Sequence, residues 1–112
     1  MTTRSTDQGH TWSPVEKVLA GREKKPVVGK LPGLILMPNG TLVLITAHAK
    51  LGCFLYVSAD GIGREWSKGN VVTTSTGANT SMVGLDENRL LVFTPANGRI
   101  NCWRLILDRP AQ

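Results

Sequence analysis

Two stretches of this 112-residue chain set a serine, an aspartate, a glycine and a tryptophan in one order. The first is Ser5-Thr6-Asp7-Gln8-Gly9-His10-Thr11-Trp12. The second is Ser58-Ala59-Asp60-Gly61-Ile62-Gly63-Arg64-Glu65-Trp66, one residue longer between its aspartate and its tryptophan. The chemistry this pattern favours is that of a tight turn. Asp7 and Asp60 can accept hydrogen bonds from turn amides, Ser5 and Ser58 can do so through their hydroxyls, and Gly9 and Gly63 permit positive φ. Trp12 and Trp66 then anchor each turn on apolar surface. A second chemistry is offered by cations between the apolar runs: Lys30, Lys50 and Arg99, with His48 beside Lys50. Brought together, they would attract a carboxylate, sulfate or phosphate. No carboxylate stands near His48 in sequence to orient it as a general base, so it reads as a polar loop residue at the same site.

These residues must be held by strands. Leu34-Ile35-Leu36-Met37, then Pro38-Asn39-Gly40, then Leu42-Val43-Leu44-Ile45 reads as a hairpin, because Asn-Gly between apolar runs tolerates positive φ. Residues 53–57 add a third strand and residues 71–74 a fourth, both rich in β-branched or aromatic side chains. The order then recurs. Residues 82–92 match residues 34–44 at an offset of 48, and residues 80–85, 89–94 and 99–107 read as strands one to three of a second set. Residues 15–20 supply another fourth strand behind the first serine–aspartate motif. No window sustains helical periodicity, so the expected fold class is all-β, built from four-stranded antiparallel meanders. One strand, a full set of four and then three amount to two whole sheets. Residues 29–74 form one; residues 5–20 and 79–107 share the other, within the chain or between neighbours. Met37 and Met82 are expected in the core, Trp103 between sheets, and Cys53 and Cys102 as buried strand thiols.

The pattern Ser-x-Asp-x-Gly-x-Thr-Trp resembles the Asp-box, or BNR repeat, of the sialidase (neuraminidase) superfamily. The first copy fits at every defined position; the second departs by its inserted residue and by Glu65 in place of Thr. The flanks are similar too: Leu31-Pro32-Gly33-Leu34, Pro38-Asn39-Gly40-Thr41-Leu42 and Thr80-Ser81-Met82-Val83. The resemblance implies a β-propeller with each meander one blade and two blades in this chain. Sialidase propellers have six blades, so it further implies a homotrimer closing one ring. It makes the boxes structural and sets them on the face opposite the active site, which removes Asp7 and Asp60 as catalytic acids.

On the other face stand residues 21–30, 47–52, 75–79 and 95–98, with Arg22, Glu23, Lys24, Lys25, Lys30, His48 and Lys50 among them. Lys30-Leu31-Pro32 occupies the place of the family's Arg-Ile-Pro, whose arginine grips the substrate carboxylate; a lysine grips without the bidentate fork. The family's retaining mechanism uses a Tyr nucleophile with a Glu partner, an Asp acid/base and three arginines. The nucleophile's place falls at Asn79, Tyr56 stands next to a box, and Glu23 is the sole carboxylate in the basic loops. No catalytic residue is therefore assigned. The expected function is a sialidase-like, non-catalytic propeller that binds an acidic glycan or small anion through Lys30, Lys50, His48 and Arg99. Two alternatives stand beside it: part of an exo-sialidase-type glycoside hydrolase, and a structural or interaction module with no small ligand.

Composition sets the outer bounds. Thirteen Lys and Arg against eight Asp and Glu leave a net charge of +5, which favours acidic partners without the charge density of a dedicated nucleic-acid binder. Two distant cysteines are too few for a disulfide scaffold or a zinc site, and no metal or cofactor is expected. No apolar stretch approaches the length of a membrane-spanning helix. Residues 1–8 lack the apolar centre of a signal peptide, which makes the cytoplasm the default expectation.

Overall fold

The computed structural model describes residues 1–74, 80–96 and 98–107. Among these residues nine strands follow in chain order: β1 Leu19–Ala20, β2 Lys25–Pro26, β3 Lys30–Leu36, β4 Leu42–His48, β5 Gly52–Ser58, β6 Asn70–Thr73, β7 Ser81–Gly84, β8 Arg89–Ala96 and β9 Arg99–Ile106. They form three antiparallel sheets, ordered β1-β2, β3-β4-β5-β6 and β7-β8-β9. The all-β expectation holds. Residues 75–79 and Asn97, on which two of the expected basic-face loops rest, lie outside the described residues.

The β3–β4 hairpin turns where Asn39-Gly40 predicts, by different means. Gly40 alone of the two takes positive φ, at 88°. Asn39 uses its side-chain oxygen instead, accepting the Thr41 N–H at 3.0 Å. The Met37 N–H donates to Thr41 O and the Gly40 N–H to Met37 O. The hairpin is therefore the longer kind that ends on a left-handed glycine, not the two-residue turn.

β4 explains the layering. Its five central residues, 43–47, are all buried, which a strand achieves only with packed surface on both faces. Side chains alternate across a sheet. Val43 and Ile45 point one way, joining Met37, Cys53 and Leu55 against Leu90 and Val92 of the third sheet and Leu107 just beyond its last strand, with Met82 and Trp103 alongside. Leu44 points the other way with Tyr56 and Phe54, onto Ala20 and Val27 of the N-terminal part. The second sheet is the middle layer. Val28 fastens that arrangement at both its backbone groups: its N–H donates to the Tyr56 hydroxyl at 2.9 Å, and its carbonyl accepts the Thr46 hydroxyl at 2.6 Å.

Two expectations need correction. Residues 15–20 are not one continuous strand: Glu16 makes an isolated bridge with Thr2, and only Leu19–Ala20 extends, pairing with β2. The neighbour that segment was to complete, β9, packs on the opposite side of the second sheet, so within one chain the segment turns back on itself. Cys102 is exposed, not buried. It lies on the face of the third sheet that points away from the second, where nothing packs over it among the described residues. Cys53 is buried as expected, and Met37 and Met82 belong to the core and its margin. Trp103 packs between the sheets, its indole N–H donating to Thr94 Oγ1 at 2.8 Å.

Candidate functional site

Antiparallel pairing sorts the connections to two ends of the sheets. At one end β3 passes to β4, β5 to β6 and β7 to β8. The second serine–aspartate motif fills the β5–β6 connection there. The first motif lies against it, because the Arg4 guanidinium donates to the carbonyls of Ile62 and Gly63, both at 2.6 Å.

The two motifs are wired alike. Ser5 donates its hydroxyl to Asp7 Oδ1 at 2.8 Å and accepts the Gly9 N–H at 2.7 Å. Ser58 donates to Asp60 Oδ1 at 2.5 Å and accepts the Gly63 N–H at 3.2 Å. Thr11 serves Asp7 with both its N–H and its hydroxyl. Glu65, in the threonine's place, serves Asp60 with its N–H alone, and the Ile62 and Gly63 amides make up the difference. The inserted residue is absorbed between two left-handed glycines, Gly61 and Gly63, both at φ 72°. Trp12 and Trp66 each donate an indole N–H to the glycine carbonyl three residues back. Trp66 also packs against the core, whereas Trp12 stays 61% exposed.

The wiring decides the chemistry of the two carboxylates. Hydrogen bonds from the Thr11 hydroxyl, the Thr11 amide and Ser5 hold the Asp7 carboxyl down at about 2. Burial pushes Asp60 upward, but Ser58 and the amides of Ile62, Glu65 and Gly63 outweigh it and also leave it at about 2. Neither carries a proton to give at neutral pH, so both are turn acceptors. Both folded values lie below the ordinary 3.8. The ionised carboxylates therefore stabilise the fold above about pH 4, and that contribution is lost as pH falls toward about 2. Thermal melts across that range should show the fall. Asp60→Ala should lower stability by about 1–2 kcal/mol at neutral pH and flatten part of the acid limb; a wild-type melting temperature unchanged from pH 5 to 2 would contradict the assignment.

At the other end stand the cations. Lys30 opens β3 opposite Ala47, Arg99 opens β9, and Lys50 sits in the β4–β5 turn, all three exposed. His48 belongs to the turn itself, since its Nδ1 accepts the N–H groups of Lys50 and Leu51 at 3.1 and 3.0 Å. Glu23, the one carboxylate among those loops, pairs with Lys25 at 2.8 Å. Topology gathers Lys30, His48, Lys50 and Arg99 at one end.

Two large clefts lie elsewhere among the described residues. One, of about 1040 Å³, runs between β5–β6 and the end of β9. The other, of about 1020 Å³, lies under residues 20–26, with Phe54, Tyr56 and Trp66 for a floor and Arg22, Lys24 and Lys25 at its edge. The sequence reading had Arg22, Lys24 and Lys25 but missed that aromatic floor. Its signal was the alternation of Phe54 and Tyr56 on one face of one strand. Among the described residues, no three His, Cys, Asp or Glu side chains gather so as to hold a metal ion, and no helix is long and apolar enough to cross a membrane. Comparison with protein-family models, with curated proteins and with solved structures finds no match to the chain.

Proposed function

We propose that the chain is a sialidase-like Asp-box repeat unit, two blades of a six-bladed β-propeller, that takes a small anion or acidic glycan without turning it over. One observation carries the reading: the two box carboxylates are saturated at one end of the sheets, while the opposite end is rich in cations and nearly free of carboxylates. A threefold ring of copies would repeat Lys30 three times around its axis, at the start of the innermost strand of each. Three lysines hold an anion by charge and not by directed forks, which suits binding better than the precise placement catalysis needs.

Hydrolysis of a glycosidic bond needs a matched pair of groups flanking it. Glu23 is tied to Lys25, and the only tyrosine, Tyr56, is buried with its hydroxyl engaged by Val28. Titration with sialic acid, followed by calorimetry, tests the proposal. Lys30→Ala should weaken binding about tenfold or more, with stability changed by no more than about 0.5 kcal/mol because the residue is exposed. A fluorogenic sialoside should be left intact. Turnover lost in Lys30→Ala would make the chain part of a glycoside hydrolase, and binding indifferent to Lys30 would remove the basic end as the site.

A further inference from the structure

Among the described residues, the third sheet ends on an open face and an open edge. β9 is its edge strand, and its outward side chains include Ile100 and Ile106, 76% and 64% exposed. An exposed apolar edge of this length invites another strand. The repeat says what kind of surface this is. Val83, Leu91 and Phe93 lie 48 positions after Ile35, Val43 and Ile45, which in the second sheet are the residues packed on the third. The open face is thus a second copy of a face that this protein already covers with a sheet. Beside the open edge runs the cleft of about 1040 Å³, lined by Leu55, Val57, Val71, Val72, Leu105 and Ile106.

The chain also holds the matching piece. Residues 2–20 repeat the wiring that leads into β6. Arg4 and Ser13 exchange Arg4 N–H to Ser13 Oγ and Ser13 N–H to Arg4 O, as Val57 and Ser67 do. Glu16 faces Thr2 as Asn70 faces Leu55. In residues 15–20, Ala20 is buried against the second sheet and Val18 is half-buried, while the alternate Val15, Lys17 and Leu19 are exposed, Val15 and Leu19 by 64% and 38%. One face of a fourth strand is already seated, and its other face, apolar at Val15 and Leu19 with Lys17 between them, is uncovered among the described residues. Its own β9 lies beyond the middle sheet, so the edge it fits belongs to another molecule.

We propose that copies of this chain join head to tail, residues 16–20 of one copy adding to β9 of another as its fourth strand, with Val15 and Leu19 entering the cleft. Arg4 and Arg104 show how the ends exchange. Tyr56 stands opposite Leu44 and Trp103 opposite Val92, 48 positions later, so Val57, Arg4 and Arg104 occupy one place in the repeat. In the single chain Arg4 holds the carbonyls of Ile62 and Gly63; in the assembly Arg104 of the incoming copy takes them, and residues 2–4 give way. A contact between unlike surfaces closes into a ring when its rotation divides the circle. The inference rests on the proposed function only for the number of copies in that ring.

Pairing like that of β5 with β6 sets Cys102 opposite Glu16 of the other copy. The variant Glu16→Cys/Cys102→Ser, mixed with wild type under mild oxidation, should give a covalent dimer through the native Cys102. Buried Cys53 serves as an internal control. The dimer should form about tenfold faster than with Glu23→Cys/Cys102→Ser, a site at the other end, and Arg104→Ala in the wild-type partner should slow it about as much, a loss of about 1.4 kcal/mol. Equal rates for the two thiol positions, or a chain that sediments as a monomer at every concentration, would overturn strand exchange. Neither result depends on a ligand, so the anion-binding reading fails or stands by its own titration.

Discussion

Ile45→Ala should lower the stability of the chain by about 3 kcal/mol, inside the range of about 2–5 kcal/mol for truncating a buried Ile. Ile45 has no exposed surface. It stands opposite Gly33 on one side and Leu55 on the other, in the junction that joins the second sheet to the third. Gly33 has no side chain to fill the gap: a Cβ there would lie 2.9 Å from Ile45 Cγ2, so Ile45 alone occupies the space between them. The vacated space is lined by two sheets whose backbones are held by their own ladders, and relaxation can recover little of it. Total stability of small domains is about 5–15 kcal/mol, so one such truncation is a large part of it. Ile106→Ala removes the same atoms from a residue 64% exposed and should change stability by about 0.5 kcal/mol or less. Urea denaturation of both variants checks the contrast. Equal losses would mean that the sheet junction is not the core. Ile106→Ala should declare itself instead in association, since its side chain borders the cleft proposed to receive a second copy.

The strands were legible because their signals are local. Apolar runs of β-branched residues, Asn39-Gly40 and the two serine–aspartate motifs each act within a few residues, and each falls where the sequence placed it. The 48-residue offset carried more, since it relates faces as well as strands: Leu44 and Val92 both look toward the part of the chain before them, while Val43 looks toward the third sheet and Leu91, its counterpart, to the face that points away from the second sheet. Residues 15–20 failed for a corresponding reason. Their alternation is that of a strand, but a strand needs a neighbour, and which side of the middle sheet the N-terminal part occupies is set by packing of Ala20 and Val27 on Leu44, Phe54 and Tyr56. Cys102 went wrong for a related reason: it lies in a strand as expected, but burial also needs cover on its face of the sheet, and none packs there among the described residues. At the candidate site, residue types announced the cations and the capped aspartates, whereas the turn-closing role of His48 Nδ1 follows from a loop geometry that no spacing of residues reveals.

Gly52→Ala should cost about as much as losing a core side chain, through backbone instead of burial. Gly52 starts β5 at φ 103°. An added Cβ would fall onto the carbonyl oxygen of Thr73 and 2.8 Å from the Thr74 Cα. Those are main-chain atoms at the end of β6, which cannot rotate aside as a side-chain tip would. Left-handed strain of about 1–2 kcal/mol joins an overpacking cost of about 1–3 kcal/mol, for a loss of about 2–4 kcal/mol. Gly98→Ala separates the two contributions, because Gly98 has φ 74° with nothing within 4 Å of its would-be Cβ. It should lose only the strain, about 1–2 kcal/mol. The excess in Gly52→Ala has a location as well as a size: β6 must shift, so hydrogen exchange should quicken at Val71 and Val72 and leave β8 unchanged. Those two valines wall the cleft beside β9, and the intermolecular cross-link to Cys102 should slow in the same variant. Equal losses for the two glycines would show that β6 does not lie against the start of β5, and the template for the fourth strand of the third sheet would go with it.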